Sequence, residues 1–393
     1  QKKDNEKTLS NFILEPLCVF EKVDDEKGGR DYLFKIYLDN FKTHKITLTG
    51  VEYSTKQSFE KAITDKVQAV LFANNYEYKL IQYFIYQKYD EKLYKKYSNC
   101  GRINKDLWIY DNAILYKNKY IEYDDNNIAL LDENNGVTRT AFEDNKLISD
   151  KEIDLKETYN LFDRVYGNIA IKMFGFAIQS IFQDSIYKEY KVNPILYFIG
   201  QSGKGKTIAG KITTALTGCY MNENATSTKK GLLRQLSSHY NLALLVDEAI
   251  SVSNNLRRND QQEDLLRNVY DKSGMSKALK TTDNSVSRSD VNCSVIYCSE
   301  LSFNSESALN RCVISDFTNL KHTEDFGKLE SKIYELSNFL IQMLQKIDSK
   351  KLIESINFIK KHLKNELEKR NIDIDSRIIL KSLDYIRLFF SFC

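Results

Sequence analysis

One segment of the sequence has the residue types and spacing of a phosphate-binding loop. Residues 200–207 read GQSGKGKT, a full match to GxxxxGK[ST]. The glycines allow a tight turn that directs backbone N–H groups inward, and the start of the following helix adds more donors. Lys206 is expected to reach the β- and γ-phosphates of ATP, and the Thr207 hydroxyl to coordinate Mg²⁺. The residues expected to bind the nucleotide in this loop are Gly200, Gln201, Ser202, Gly203, Lys204, Gly205, Lys206 and Thr207.

An acidic pair follows the next strand with a buried pattern. Residues 242–246 are apolar and lead directly into Asp247 and Glu248. At the carboxyl edge of a parallel sheet, such a pair lies beside the phosphate loop. Asp247 is expected to hold the water shell of Mg²⁺, and Glu248 to polarise the attacking water. Loop and pair together predict ATP hydrolysis rather than phosphoryl transfer to a small molecule.

Two more polar side chains stand at strand ends in the same region. Ser299 ends a third strand at 294–298 and could hydrogen-bond the γ-phosphate or the attacking water, although serine is also common at strand ends. Arg311 stands immediately before a strand and could complete the site of a neighbouring subunit as an arginine finger. The alternative for Arg311 is a surface ion pair.

The elements that must position these side chains form a compact α/β pattern between residues 194 and 317. A strand at 195–199 enters the loop, and residues 208–216 have helical spacing after it. Residues 158–190 predict one long helix before this region. Residues 328–392 are almost wholly helical in pattern.

The first 150 residues have a mixed α and β pattern with no catalytic constellation. Residues 31–52 alternate apolar and polar side chains as paired strands do, and residues 56–98 have helical spacing. Short strands with Asp-Asn turns follow from 106 to 131. A change to a charged composition near residues 142–157 predicts a domain boundary.

A row of large side chains recurs at helical spacing within the first 150 residues. Its members are Tyr76, Leu80, Tyr83 and Phe84. Such a row could stack on nucleic-acid bases, but at this spacing it is more often part of a core. We interpret it as core.

Composition limits the function classes. The 57 Lys and Arg residues nearly balance the 54 Asp and Glu residues, for a net charge of +3, so any nucleic-acid binding must come from locally placed basic groups. The seven cysteines include no CxxC pair, which predicts buried thiols in a reducing compartment and no zinc site. The longest apolar stretch, 168–182, contains Lys172 and Gln179 and is too short to cross a bilayer. We expect a cytoplasmic protein, and the initial Gln suggests a processed chain or part of a longer one.

The order of GQSGKGKT, LLVDEA, VIYCSE and ALNRCVISDF resembles the AAA+ ATPases. Within them it is most similar to replicative helicases of phages and mobile genetic elements, of the superfamily-three and minichromosome-maintenance-like types. The segment TSTKKG at 226–231 resembles a stretch of those helicases, as do Gly101 and Arg102 followed by Leu107 and Trp108. The resemblance is good over residues 155–320 and weaker over 50–120.

This resemblance implies an α/β fold with a P-loop AAA+ core of parallel sheet and flanking helices. We expect an N-terminal α+β collar or DNA-facing domain at 1–150, a helical linker at 151–192, the ATPase core at 193–320 and a helical lid at 321–393. The assembly it implies is a hexameric ring with ATP between subunits and DNA in the central channel. Arg377 lies where a second nucleotide-sensing arginine would stand.

The family's pore hairpin corresponds to residues 277–288, where 283–285 have the sequence of a turn. Lys277, Lys280 and Arg288 would contact the phosphates of the DNA there. The alternative is an ordinary surface hairpin with solvated lysines.

The sequence thus predicts an ATP-dependent DNA helicase or translocase that replicates a mobile element or phage in a bacterial cytoplasm. A primase or another replication protein is a candidate partner, and no membrane is. One alternative is an AAA+ helicase loader or replication initiator that unwinds nothing. Another is a signalling P-loop NTPase that binds no nucleic acid.

Overall fold

The structure is a computed structural model. It describes residues 7–24, 28–39, 41–89, 92–139, 145–147, 152–220, 222–224, 229–247, 256–278, 286–303, 305–320 and 324–370.

Internal contacts divide the chain into two units. The first comprises Gln1–Asn99 and Ile121–Ala141, and the second comprises Cys100–Tyr120 and Phe142–Cys393. The sequence placed residues 100–120 in the N-terminal domain, whereas here they belong to the unit that contains the phosphate loop. Two contacts explain this: Cys100 pairs with His239 in a parallel ladder, and the Tyr110 hydroxyl donates to the Thr217 carbonyl at 3.0 Å.

The first unit is a six-stranded mixed sheet, with helices packed against the large side chains of one face. Its strands run in the spatial order β3-β2-β1-β4-β10-β9. The strands are β1 (Phe12–Lys22), β2 (Arg30–Leu38), β3 (Thr43–Thr49), β4 (Leu93–Tyr97), β9 (Ala129–Leu130) and β10 (Gly136–Arg139). The helices are α1 (Gly50–Ser54), α2 (Lys56–Val67) and α3 (Asn75–Tyr89).

The predicted helical segment at 56–98 is wrong at its end. Residues Leu93–Tyr97 form strand β4, which pairs in parallel with β1 and β10. A five-residue run that ends in a buried Tyr97 fits either period, so only the partner strands decide its conformation. Helix α2 agrees with the prediction, because Phe59, Ile63 and Val67 are buried on one face.

The interpretation of the aromatic row as core is also wrong. The row lies on α3, where Tyr76 is 71% exposed, Leu80 40%, Tyr83 57% and Phe84 64%. The side of α3 that faces the core instead carries Tyr78 and Ile85. Because Tyr and Ile occupy that inner side, the sequence has an apolar period on both sides of the helix and does not distinguish them.

The second unit is built around a five-stranded parallel sheet with the spatial order β12-β14-β17-β11-β18. The fold is therefore α/β, as the sequence predicts. The strands of this sheet are β11 (Ile195–Ile199), β12 (Asn222–Asn224), β14 (Ala243–Asp247), β17 (Ser294–Ser299) and β18 (Cys312–Asp316). A second sheet has the order β13-β5-β6-β7-β8 and a hairpin pairs β15 with β16. These strands are β5 (Cys100–Arg102), β6 (Leu107–Ile109), β7 (Ala113–Tyr116), β8 (Lys119–Glu122), β13 (His239–Tyr240), β15 (Met275–Ala278) and β16 (Val286–Ser289).

Helices pack against the parallel sheet, and further helices follow its last strand along the chain. They are α4 (Leu155–Tyr166), α5 (Asn168–Ile181), α6 (Gln183–Tyr190), α7 (Lys206–Ala215), α8 (Lys229–Ser238), α9 (Leu256–Tyr270), α10 (Glu306–Leu309), α11 (Asp325–Ser331), α12 (Asn338–Lys346) and α13 (Ser349–Lys369). A 3₁₀ helix, Ile333–Ser337, stands between α11 and α12. Within the described part of the chain, no helix combines the length and the apolar character that a membrane span requires.

The single long helix predicted at 158–190 is three helices. Gly167 breaks it with a φ of 54°, and Phe182 separates α5 from α6. All three helices keep an apolar face toward the core, so the periodicity survives the breaks. The helical prediction for the C-terminal part is confirmed as far as Lys369, and residues 371–393 lie outside the described part of the chain.

Candidate nucleotide-binding site

The phosphate loop begins at the carboxyl end of β11, an inner strand of the parallel sheet. Strand β11 pairs with β17 on one side and with β18 on the other, so its carboxyl end is enclosed by both neighbours. Gly200 follows with a φ of 152°, and its N–H donates to the Ser299 carbonyl at 3.3 Å. A Cβ on Gly200 would lie 3.1 Å from the Cβ of Phe317, tighter than ordinary contact. The loop can begin here only because the residue is glycine.

Helix α7 begins directly after the loop. Its N-cap, Gly205, is left-handed with φ 82° and ψ 12°, a conformation that favours glycine. No side chain caps the helix, so its first-turn N–H groups are available to an anion.

Lys206 is buried at the start of α7. Its Nζ donates to the carbonyls of Gly200 and Gln201, at 2.5 and 2.7 Å. The ammonium group therefore lies against the loop backbone. The backbone of Lys206 also contacts Cys298, whose Sγ lies 3.5 Å from the Lys206 carbonyl oxygen.

The sequence gives Cys298 no role beyond that of a buried thiol, whereas the structure places it in contact with the loop. Burial raises the pKa of the Cys298 thiol well above its usual value, so the group stays protonated and can donate to the Lys206 carbonyl. The signal available in the sequence was its position one residue before Ser299, at the end of a strand beside the loop.

Thr207 and Asp247 meet beside the loop, as the sequence predicts. The Thr207 hydroxyl donates to Asp247 Oδ2 at 3.0 Å. Asp247 is the last residue of β14, and α7 packs on this strand. Hydroxyl and carboxylate oxygens are ligands suited to Mg²⁺, which keeps several waters and takes few protein ligands. The described residues contain no group of three or more His, Cys, Asp or Glu side chains that could hold a metal, and the Mg²⁺ site stays a prediction.

Ser299 lies at the same sheet edge, but its hydroxyl closes a turn. It is paired with Ile199 in the parallel register, directly before Gly200. Its Oγ donates to the Leu301 carbonyl at 2.7 Å and accepts the Leu301 N–H at 3.2 Å. The residue is therefore next to the loop, while the contact predicted for its hydroxyl with a phosphate or water stays a prediction.

Arg311 lies at the amino ends of the parallel strands, whereas the phosphate loop begins at their carboxyl ends. Its carbonyl accepts from the N–H of Ile195, the first residue of β11. The guanidinium donates to Ser307, at 2.6 Å to the carbonyl and 2.8 Å to Oγ, and lies 5.5 Å from the centre of the Tyr270 ring. A five-residue strand is about 16 Å long, so Arg311 is separated from the phosphate loop of its own chain by the length of β11.

Five predicted site residues remain, and the structure describes the backbone of two of them. Glu248, Lys280 and Arg377 lie outside the described residues. Lys277 and Arg288 lie on the two arms of the β15–β16 hairpin, opposite Ser287 and Ser276. The two arms of the predicted hairpin therefore pair, its turn lies outside the described residues, and its contact with DNA stays a prediction.

Comparison with known proteins finds structural neighbours only. No protein-family model and no curated protein matches the chain. An active helicase described as SCCmec type IV Cch superposes with a TM-score of 0.58 at 15% identity, over 98% of this chain and 70% of that one. The apo C-terminal region of NrS-1 gives a TM-score of 0.37 at 13% identity, over 84% of this chain and 66% of that one. An inhibitor-bound JCV helicase gives 0.29 at 16% identity, over 56% and 68%. The first score shows a shared fold, and the other two are too low to do so.

Proposed function

We propose that the chain is an ATP-dependent DNA helicase or translocase that replicates a mobile genetic element or phage. The observation that carries the proposal is the hydrogen bond between Thr207 and Asp247 beside the buried Lys206. It joins a phosphate loop and an acidic strand end at one edge of a parallel sheet, which is where such folds bind nucleotides. The fold shared with a protein described as an active helicase supports the same conclusion.

The loop residues fit ATP by charge and shape. Lys206 and the first N–H groups of α7 supply positive potential for the phosphates, and the glycines keep side chains away from them. Thr207 and Asp247 would hold Mg²⁺ with its waters. The ion, when bound, polarises the phosphoryl oxygens and neutralises charge that develops on them.

Glu248 is the proposed general base in this site. As the residue after Asp247, it follows the strand that ends beside the loop, and its carboxylate would accept a proton from the attacking water. Ser299 would orient that water or the γ-phosphate from the adjacent strand. Arg377 is the proposed second sensor of the nucleotide, from the C-terminal lid.

Arg311 acts, in this proposal, on the ATP of a neighbouring subunit. Its place at the far end of β18 prevents contact with the phosphate loop of its own chain, which favours a contribution in trans. Such an arginine requires an oligomer with nucleotide between subunits, and we propose the hexameric ring that the resemblance implies. DNA would pass through its channel against Lys277, Lys280 and Arg288 of each hairpin, which carry charge without base readout.

Hydrolysis of ATP with and without single-stranded DNA tests the proposal. We expect DNA to stimulate turnover in the wild-type chain, and Lys206→Ala and Glu248→Gln to abolish it. Lys211→Ala is the matched control, since Lys211 is an exposed lysine of the same helix. Stimulation by DNA with no strand separation would favour the loader or initiator. Hydrolysis indifferent to DNA, and unchanged in Lys277→Ala with Lys280→Ala, would favour the signalling NTPase.

A further inference from the structure

The outer side of helix α3 carries a row of large side chains on a rigid support. The row consists of Tyr76, Leu80, Tyr83 and Phe84. On the inner side, the hydroxyl of the buried Tyr78 donates to the Tyr53 carbonyl at 2.9 Å. The helix is thus fixed to the core of the first unit while the row faces outward. An exposed apolar row of this size is typical of an interaction surface.

Two rings of the row are held in a defined orientation. Tyr83 and Phe84 meet edge to face with their centroids 5.7 Å apart. The Gln87 side-chain amide donates to the Tyr83 hydroxyl at 2.9 Å. Because these contacts exist within the helix itself, little conformational entropy remains to be lost when a partner binds.

The spacing of the row fits an extended strand of bases. Tyr76, Leu80 and Phe84 follow each other at four-residue intervals, which is about 6 Å along a helix axis. Neighbouring base pairs in a duplex are about 3.4 Å apart. A stacked duplex therefore does not match the row, whereas the unstacked bases of a single strand can each meet one turn of the helix.

The charges beside the row favour a polyanion. Lys79 and Lys88 are exposed on α3. Glu77, the acidic residue within the helix, forms a salt bridge with Lys7 at 2.6 Å and accepts the Asn74 N–H at 2.7 Å, so its charge is compensated. Asp90 and Glu91 follow the helix and lie outside the described residues. Two copies of this surface placed face to face would oppose lysine to lysine, which disfavours a symmetric self-contact.

We propose that helix α3 is a binding platform for single-stranded nucleic acid. The rings of Tyr76, Tyr83 and Phe84 stack on bases, and Lys79 and Lys88 contact phosphates. The platform belongs to the first unit, whereas the proposed hairpin contacts belong to the second. It requires no ATP hydrolysis, so the inference goes beyond the proposed function and does not depend on it.

Photo-crosslinking on the full chain tests this assignment. An oligo(dT) probe that contains 5-iododeoxyuridine is expected to crosslink to Tyr83 or Phe84, as mapped by mass spectrometry. Tyr83→Ala with Phe84→Ala should weaken binding of the probe at least about fivefold. Phe84→Tyr keeps the ring and should keep the affinity. Phe41→Ala is the matched control, because Phe41 is a 99% exposed phenylalanine of the same unit and should not affect binding.

Other outcomes would overturn the assignment. Unchanged affinity in the double variant, with no crosslink in α3, contradicts it. So does a double variant that binds the probe normally but changes the mass of the particle in solution, which would show a protein contact. Comparing the affinities for oligo(U) and oligo(dT) shows whether the platform prefers RNA or DNA. If DNA stimulates ATP turnover but no crosslink forms in α3, the platform is contradicted and the helicase proposal stands. If α3 crosslinks but the chain does not hydrolyse ATP, the platform stands and the helicase proposal is contradicted.

Discussion

The contact between Thr207 and Asp247 joins two residues that each have a local signal in the sequence. The loop pattern identifies Thr207, and the apolar strand identifies Asp247 at its end. Their 3.0 Å contact adds what neither pattern contains, namely the register that brings β14 and the start of α7 together. For Arg311 the sequence indicates a role but not a position. Only the sheet shows that this residue lies at the amino ends of the strands, away from the loop of its own chain.

Asp247→Asn is expected to weaken Mg²⁺ binding about 10- to 100-fold, because the neutral amide loses the charge that orients the water shell of the ion. Titration of ATP turnover with MgCl₂ measures this change. The unfolding midpoint should stay close to wild type, since Asp247 is only half-buried. Equal Mg²⁺ dependence in both proteins would contradict the role of Asp247.

His239 gives a pH-dependent stability at the residue scale. The side chain is buried, with Nδ1 donating to the Gln235 carbonyl at 2.8 Å and Nε2 accepting from the Asn145 amide at 3.0 Å. Both bonds suit a neutral ring, and burial lowers the pKa of His239 below its usual 6.5.

Since the pKa of His239 is lower in the folded state than in the unfolded state, the unfolded chain binds the proton first. The stabilisation is complete above pH 6.5 and is lost as the pH falls through the folded pKa. Denaturant unfolding on either side of pH 6.5 should show a steeper loss of stability in wild type than in His239→Gln. Parallel pH profiles for the two proteins would contradict this.

At the scale of elements, strongly patterned segments were predictable and breaks were not. Strand β11 coincides with the apolar run predicted for it, because a short apolar run between Pro194 and Gly200 is typical of a central strand. The break at Gly167 and the strand β4 were missed, because each depends on tertiary partners rather than on periodicity. The exposed row of α3 was misassigned since ring-bearing residues occupy both sides of that helix.

Tyr110 is expected to anchor the β6–β7 turn to the segment after α7. Its buried hydroxyl donates to the Thr217 carbonyl at 3.0 Å, so Tyr110→Phe removes a donor from a buried acceptor. We expect the free energy of unfolding to fall by about 1 kcal/mol. Denaturant titration measures the change; no loss would show that the segment 100–120 is held by its other contacts alone.

At the scale of the whole molecule, the net charge of only +3 means that any attraction of nucleic acid must come from locally placed Lys and Arg residues. In the proposed ring, a few cations in the phosphate loop, on the hairpin and on helix α3 would bind phosphates locally. Such an assembly would need no basic exterior.

Mixed oligomers test whether Arg311 acts between subunits. Lys206→Ala chains keep Arg311, and Arg311→Ala chains keep the phosphate loop, so an interface between the two kinds can hold one complete site. We expect the mixture to hydrolyse ATP faster than either variant alone. Arg267→Ala serves as a control, because Arg267 is an exposed arginine of α9 that is not proposed to touch nucleotide. Wild-type turnover in Arg311→Ala alone would contradict a role in trans.

Strand displacement from a forked DNA duplex tests the central claim most directly. We predict that the wild-type chain separates the strands only with ATP and Mg²⁺, and that Lys206→Ala does not, while Lys211→Ala does. A chain that hydrolyses ATP at the same rate with and without the fork, and leaves the duplex intact, would contradict the assignment as a helicase or translocase.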